Sequence, residues 1–326
     1  MKIKIHNHYE KLKSCMLGNV DFSVLSQMDE YKKTKLQVML ERAEVDLNKI
    51  QNKLETLGVK IFRPKSLNCD KKLVTPYFDT IGHRIPLNPA DNFFVVNNTI
   101  IETASWTKEA SFTGMYWRDV MRSALAEGNS WLTMPMPLHD VNEIDLMDQD
   151  IPNLDPIIDG PCLYIHDDHV FVSMVGASND LGYEWMKNIL PDKKFIEMNP
   201  TKFAGHLDCH FNILRPGVIA TFHAKEDFPD YFTNWTFVQV DHVTQPTEFI
   251  DSRLQDDDQE NSVLAVNSLS IDQSTILMTD TSKKLQKNFI KNLEQHNFDI
   301  EFVNFEHSHF FGSGLTCITL PLHRED

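Results

Sequence analysis

Apolar residues recur along this chain in a fixed order: a short apolar run, a two-residue polar break, a second run, a stretch with apolar residues three and four apart, and a third run. That order predicts strand, tight turn, strand, helix, strand. It is plain from Asp91 onward, where Phe93-Phe94-Val95-Val96 is separated by Asn97-Asn98 from Ile100-Ile101. A helix carrying Trp117, Val120, Met121, Ala124 and Leu125 follows, stops at Gly128, and gives way to Trp131-Leu132-Thr133-Met134. The next unit begins near Asp159 and pairs Cys162-Leu163-Tyr164-Ile165 with Val170-Phe171-Val172 across Asp167-Asp168. Its helix places Leu181, Trp185 and Ile189 four apart, and Lys194-Phe195-Ile196-Glu197 is its last strand.

The remaining units are variations. One starts at His206, turns at Arg215-Pro216-Gly217, returns through Val218-Ile219-Ala220 and has only a short segment around Tyr231 before Trp235-Thr236-Phe237-Val238. Another runs from Ser268 to Ile271, turns at Asp272-Gln273, returns from Thr275 to Met278, and then predicts one helix through Leu285, Phe289 and Leu293 before Ile300-Glu301-Phe302-Val303. The N-terminal unit has a strand from Leu12 to Leu17, a turn at Gly18-Asn19, a long helix with Leu36, Met39, Leu40, Ala43, Leu47, Ile50, Leu54 and Leu57, a glycine cap at Gly58, and Val59-Lys60-Ile61-Phe62. Five copies of one unit over residues 1–326 predict a single pseudo-symmetric α/β assembly rather than two domains. The run Gln255-Asp256-Asp257-Asp258-Gln259-Glu260, between the last two units, reads as a solvated loop or part of a lid.

Composition narrows the function. The chain has 326 residues, 41% of them hydrophobic, enough for an ample core. A net charge of -16 disfavours nucleic acid and anionic membrane surfaces as partners and favours cationic small molecules. The N-terminal Met1-Lys2-Ile3-Lys4-Ile5-His6 has no apolar leader run, and no stretch has the roughly 18 apolar residues a spanning helix needs, so a cytoplasmic location is expected. Five scattered cysteines, Cys15, Cys69, Cys162, Cys209 and Cys317, lack the paired spacing of zinc ribbons and redox dithiols.

The chemistry-bearing residues fall at the unit boundaries. Asp91, Asp159 and the pair His206 and Asp208 each stand at or just before the first strand of a unit. Equivalent positions in a ring face one axis. Cys317 follows the last unit, on a segment that must close back onto the ring, so a thiol, an imidazole and three carboxylates are expected to converge. The bland alternatives are a buried hydrophobic Cys317, a hydrogen-bonded core His206, and turn or capping roles for Asp91 and Asp159. His206, Asp208 and His210 alternate, and on a strand they would share a face and offer a metal-ligand set, although that reading leaves Cys317 and Asp91 unexplained. His166, His169, His307 and His309 are expected at the surface or behind the site.

As an ordered set these blocks resemble the amidinotransferases of the guanidino-group-modifying (pentein) superfamily. They are Asn88-Pro89-Ala90-Asp91-Asn92 with Ile100-Ile101-Glu102, Leu181-Gly182-Tyr183-Glu184-Trp185-Met186, His206-Leu207-Asp208 with Phe211-Asn212-Ile213 and Pro216-Gly217, and Gly312-Ser313-Gly314-Leu315-Thr316-Cys317 with His323-Arg324. The resemblance implies a five-bladed α/β propeller, in agreement with the five units. It implies that Cys317 is the nucleophile toward the guanidinium carbon of L-arginine, that His206 is the general acid and base, that Asp159 orients His206, and that Asp91 and Asp208 grip the guanidinium. It implies small-molecule substrates, no metal or organic cofactor, release of ornithine to an amine acceptor such as glycine, and a homodimer as a common state. A non-enzymatic propeller of this kind would lack the nucleophile and its carboxylates. Three positions depart from the family: Cys162 stands for an acidic residue, Thr316 for a histidine beside the nucleophile, and Trp106-Thr107-Lys108 for Trp followed by Arg. Leu315-Thr316-Cys317 looks closer to the methylarginine hydrolases, so a deiminase or dihydrolase using the same five residues is the alternative.

Overall fold

A computed structural model describes residues 1–27, 30–67, 74, 85–107, 110–137, 153–241, 265–305 and 313–325. Among them are five three-stranded sheets of one topology, in which an inner strand runs antiparallel to a middle strand and the middle strand runs parallel to an outer one. The second blade comprises β3 (Phe93–Val96), β4 (Thr99–Glu102) and β5 (Ser130–Thr133). The third comprises β6 (Leu163–His166), β7 (His169–Val172) and β8 (Lys194–Glu197). The fourth holds β9 (Phe211–Arg215), β10 (Val218–Thr221) and β11 (Thr236–Gln239), and the fifth β12 (Leu269–Ser270), β13 (Thr275–Thr279) and β14 (Asp299–Val303). The expected α/β propeller is the fold observed.

The hydrophobic runs are inner strands. β3 and β6 are buried at every position whereas β5 and β8 are mostly exposed or half-buried, because an inner strand is covered on both faces by its neighbouring blades. Hairpins join inner to middle strands through residues in left-handed conformations, Asn97 at φ 53° and Asp167 at φ 56°, which asparagine and aspartate tolerate better than β-branched residues. The parallel middle-to-outer pairing needs a crossover, supplied by helices Glu30–Thr56, Arg118–Ala126 and Asp180–Ile189 in the first three blades. Gly58 and Gly128 end two of them at φ 82° and 81°. The fourth blade replaces the helix with 3-10 turns Lys225–Asp227 and Asp230–Phe232, packed in an aromatic cluster of Phe171, Phe211, Phe228 and Phe232. This is the short segment that the sequence predicts around Tyr231.

Two expectations are corrected. The strand expected to open the N-terminal unit, β1 (Lys11–Leu17), is the middle strand of its blade, paired in parallel with β2 (Lys60–Phe62). Its inner strand is β15 (Thr319–Glu325), the end of the chain, antiparallel to β1, so the two ends of the chain complete one blade. Arg324, almost fully buried, donates through Nη2 to the carbonyl of Ser270 at 2.8 Å and through Nη1 to the carbonyl of Glu10. The helix predicted to run continuously through Leu285 and Leu293 is two, Asp280–Leu285 and Lys287–Gln295. Asp241 explains the break: its Oδ2 accepts the backbone N–H of Asn288 at 3.0 Å, starting a new helix, while Gln286 bonds the Asp241 backbone. No helix among the described residues is long and apolar enough to cross a membrane. The acidic run 255–260, Cys69, Lys108, His307, His309 and Gly312 lie outside the described residues.

Candidate active site

A tight turn precedes the inner strand of four blades, and the chemistry sits in those turns. Asp91 lies in the helical turn Pro89–Asn92 before β3, Asp159 caps the 3-10 turn Gly160–Cys162 before β6, and His206 caps the turn Leu207–Cys209, which contains Asp208. Cys317 lies in the turn Leu315–Ile318 before β15. All enter the same end of the ring, and neighbouring turns press together. A Cβ on Gly160 would stand 2.1 Å from the Ala90 carbonyl oxygen, so only glycine fits there.

The turns bring the five expected residues together in two linked groups. His206 Nε2 lies 3.2 Å from Asp159 Oδ2 and its Nδ1 3.9 Å from Asp91 Oδ1. Asp91 and Asp159 are both almost fully buried. Burial alone would lower the His206 pKa, but the hydrogen bond the ring donates to Asp159 and the charges of Asp91, Asp159 and Asp208 outweigh it and push the pKa up to about 10. The imidazole is therefore a cation at neutral pH. Cys317, buried, places its Sγ 3.7 Å from Asp208 Oδ2. Its thiol is pushed well above the ordinary cysteine range by the hydrogen bond it donates to Cys209, by burial and by the charge of Asp208. Asp208 thus joins the groups: it follows His206 in one turn and touches Cys317.

Sequence reasoning missed the residue that organises the turn holding Cys317. Asn267, buried just before β12, accepts the backbone N–H of Thr316 at 2.8 Å and that of Cys317 at 3.3 Å through Oδ1. Its Nδ2 donates to Asp208 Oδ2 at 2.9 Å and to Cys317 Sγ at 3.3 Å. Thr316 Oγ1 also donates to Asp208 Oδ2, at 2.7 Å. The signal for Asn267 was its position, since it occupies the fifth blade's equivalent of Asp91, Asp159 and His206. Asn88 bridges Asp91 and Ser313, donating to Asp91 Oδ2 at 3.3 Å and accepting from Ser313 Oγ at 2.9 Å.

The alternating His206, Asp208 and His210 do not share the face of a strand, because they lie in and around a 3-10 turn. His210 faces elsewhere, its Nδ1 2.8 Å from His223 Nε2 and its Nε2 2.8 Å from the Ala204 carbonyl. Among the described residues, the group close enough to share a metal ion is instead Asp208, Cys209 and Cys317. Cys162, at the departing position, is buried and donates to the Ala177 carbonyl at 3.6 Å. A cavity of about 60 Å³ is lined by inner-strand residues such as Phe93, Leu163, Phe211 and Leu320 and by Asp208 and Thr316.

A five-bladed α/β propeller with a thiol, an imidazole and three carboxylates gathered at one end of its inner strands is the class that fold and site define. No family model matches the chain. It is 24% identical, over an alignment of 347 positions covering 99% of this chain and 97% of the other, to inosamine-phosphate amidinotransferase 1 of Streptomyces glaucescens. It is 25% identical to the mitochondrial glycine amidinotransferase of Xenopus tropicalis, across 87% of this chain and 70% of that one. The solved structure of inosamine-phosphate amidinotransferase from Streptomyces griseus superposes with a TM-score of 0.83 at 20% identity, covering 99% of this chain and 97% of that one. The chain thus shares the fold of that amidinotransferase structure along nearly its whole length.

Proposed function

We propose that the protein is an amidinotransferase that moves the amidino group of L-arginine to glycine or another small primary amine and releases ornithine. The observation that carries this reading is the contact of Cys317 Sγ with Asp208, 3.7 Å away, beside a His206 held between Asp91 and Asp159. Relatives named as amidinotransferases align along nearly the whole chain and support it.

The chemistry follows from the charges. Three carboxylates and one imidazolium leave the pocket net negative, suited to a guanidinium whose planar fork of N–H donors would meet Asp91 and Asp208. Those carboxylates also hold the proton on Cys317, so the thiolate forms, giving its proton to solvent, when the cationic substrate arrives and offsets them. The sulfur then attacks the guanidinium carbon, and the bond from that carbon to the δ-nitrogen of ornithine breaks. The Nε2 or Nδ1 proton of His206 passes to that nitrogen, which leaves as an amine. The neutral imidazole, with Asp159 beside it, takes a proton from the incoming amine as that amine attacks the amidino carbon, and the carbon–sulfur bond breaks to free the thiolate, which regains its proton from solvent when the product leaves.

Thr316 favours a second reading. It stands beside the nucleophile where amidinotransferases carry histidine, and its hydroxyl is bonded to Asp208 rather than presented to an acceptor. With water in place of the amine, the same residues make a guanidino hydrolase. Incubation with L-arginine, with and without glycine, followed by mass spectrometry of the small molecules, separates the two. Ornithine with guanidinoacetate only when glycine is present is the expected result. Citrulline, or ornithine with ammonia, in the absence of any amine would make it a hydrolase, and no turnover would overturn both.

A further inference from the structure

Cys209 has no part in the chemistry above, yet its thiol stands in the same pocket. It follows Asp208 in the turn Leu207–Cys209 and donates to Asp208 Oδ1 at 3.7 Å, while Cys317 Sγ lies 3.7 Å from Oδ2 of the same carboxylate. One ligand atom from each of Asp208, Cys209 and Cys317 lies within 4.8 Å of the other two. A tetrahedral zinc ion, with Zn–S about 2.3 Å and Zn–O about 2.0–2.2 Å, sets neighbouring sulfur and oxygen ligands about 3.5 Å apart and two sulfurs about 3.8 Å apart. Each sulfur is already close to that spacing from one oxygen of the Asp208 carboxylate, Cys209 from Oδ1 and Cys317 from Oδ2, and the three ligand atoms need to close by about 1 Å or a little more. Asn267 and Thr316, donating to Asp208 Oδ2, fix this carboxylate as outer partners fix a metal ligand.

We propose that Asp208, Cys209 and Cys317 form a binding site for a thiophilic divalent cation of the zinc class, and that an ion held there occupies the nucleophile and stops turnover. Two thiolates and a carboxylate are a soft, triply negative donor set that suits zinc over magnesium or calcium. On binding, each S–H bond gives way to a metal–sulfur bond and two protons leave to solvent. A fourth coordination position remains for water. Cys209 is the residue that turns a nucleophile beside a carboxylate into a metal site; serine there keeps the shape and removes the second sulfur.

Metal binding does not depend on the activity proposed above, whereas the inhibition rests on it. The test titrates the purified full chain with zinc against a chromophoric chelator and, separately, with cobalt, whose thiolate charge-transfer absorption distinguishes sulfur ligation from binding by surface histidines. The expected result is one tight zinc per chain, a thiolate–cobalt band, and L-arginine turnover that falls with zinc and returns with chelator. Cys209→Ser should weaken zinc at least about tenfold, no less than the loss of an outer partner costs, and Cys317→Ala should do the same. Cys209→Ala serves if the serine variant fails to fold by thermal melting. Wild-type protein without the cobalt band, or variants that bind zinc as tightly as wild type, would overturn the site. Turnover unaffected by saturating zinc would overturn the inhibition. A chain that binds zinc through these thiols but never acts on L-arginine would leave the site standing and remove the proposed activity instead.

Discussion

The side-chain amide of Asn267 holds Cys317 at two points, accepting its backbone N–H through Oδ1 and donating to its Sγ through Nδ2, each at 3.3 Å. The same amide reaches Asp208, so one residue of the fifth blade fixes a residue of the fourth against the nucleophile before β15. Asn267→Ala leaves Asp208 and two backbone N–H groups short of partners. It should cost about 1–3 kcal/mol of stability and about 100-fold in turnover. Asn267→Asp keeps the size but sets a second carboxylate against Asp208, and should lower activity at least as far. Urea unfolding and initial rates on both variants check this, and an aspartate variant of wild-type activity would refute the positioning role.

Replacing Cys317, the proposed nucleophile, separates chemistry from structure. Cys317→Ala removes one sulfur from a buried position, a change of roughly 1 kcal/mol in stability, while turnover of L-arginine should vanish. The melting temperature and a product assay read the two effects independently, and a variant that still formed ornithine would exclude the covalent route.

The charge on His206 gives a pH signature. Its pKa is raised from 6.5 to about 10 in the fold, so its contribution to stability is complete below pH 6.5 and is lost progressively as the pH rises toward 10. His8 and His223, held as neutral rings with pKa values lowered to about 3 and about 4, act oppositely and cost stability only below pH 6.5. Between pH 6.5 and 8 the fall should come largely from His206, because the buried thiols, whose pKa values folding raises from 9.0, add to it only as the pH nears that ordinary value. Asp159→Asn removes the charged acceptor on Nε2, lowers the His206 pKa and should flatten that fall. Unfolding free energies at several pH values in this interval, on both proteins, decide it.

Gly314 lies immediately before the nucleophile's turn, and a Cβ there would stand 2.3 Å from Asn267 Oδ1. Gly314→Ala must therefore push aside the amide that holds Thr316 and Cys317. Turnover should fall about 100-fold, comparable to loss of Asn267, with stability down about 1–3 kcal/mol. Steady-state rates on the Gly314→Ala, Asn267→Ala and double variants would expose the coupling: if the two act through one contact, the double variant is no worse than either alone.

Arg324 ties the last strand into the ring through the carbonyls of Glu10 and Ser270. Arg324→Leu should destabilise the protein by roughly 2–4 kcal/mol, since it strands two carbonyls that a charged donor now satisfies. A melting temperature equal to that of wild type would show that the ring closes without this clasp.

Much of this architecture was legible in the chain because each blade is built from neighbouring residues. Local periodicity therefore reported the strands, the crossover helices and the missing helix before Trp235. The position of Asp91, Asp159, His206 and Asp208 just ahead of the inner strands was legible for the same reason. β15 was not read as an inner strand, since Pro321 interrupts its pattern and its partner β1 lies some three hundred positions away. His206, Asp208 and His210 were read with the two-residue period of a strand, but a 3-10 turn aims them differently. Asn267 was passed over because an uncharged amide ahead of a serine looks like an ordinary turn residue until the thiol it holds is seen.

Local preference and hydrophobic spacing along the chain are enough to specify the repeated unit, the number of its copies and the residue types placed at each boundary. Tertiary structure decided which atoms meet. His206 becomes cationic at neutral pH only because Asp91 and Asp159, from two other blades, are buried against it, and Cys317 remains a thiol because Asp208 and Cys209 share its pocket. Charge states and contacts of this kind depend on distances of a few ångströms between residues tens to hundreds of positions apart, and closure of the ring is what sets those distances.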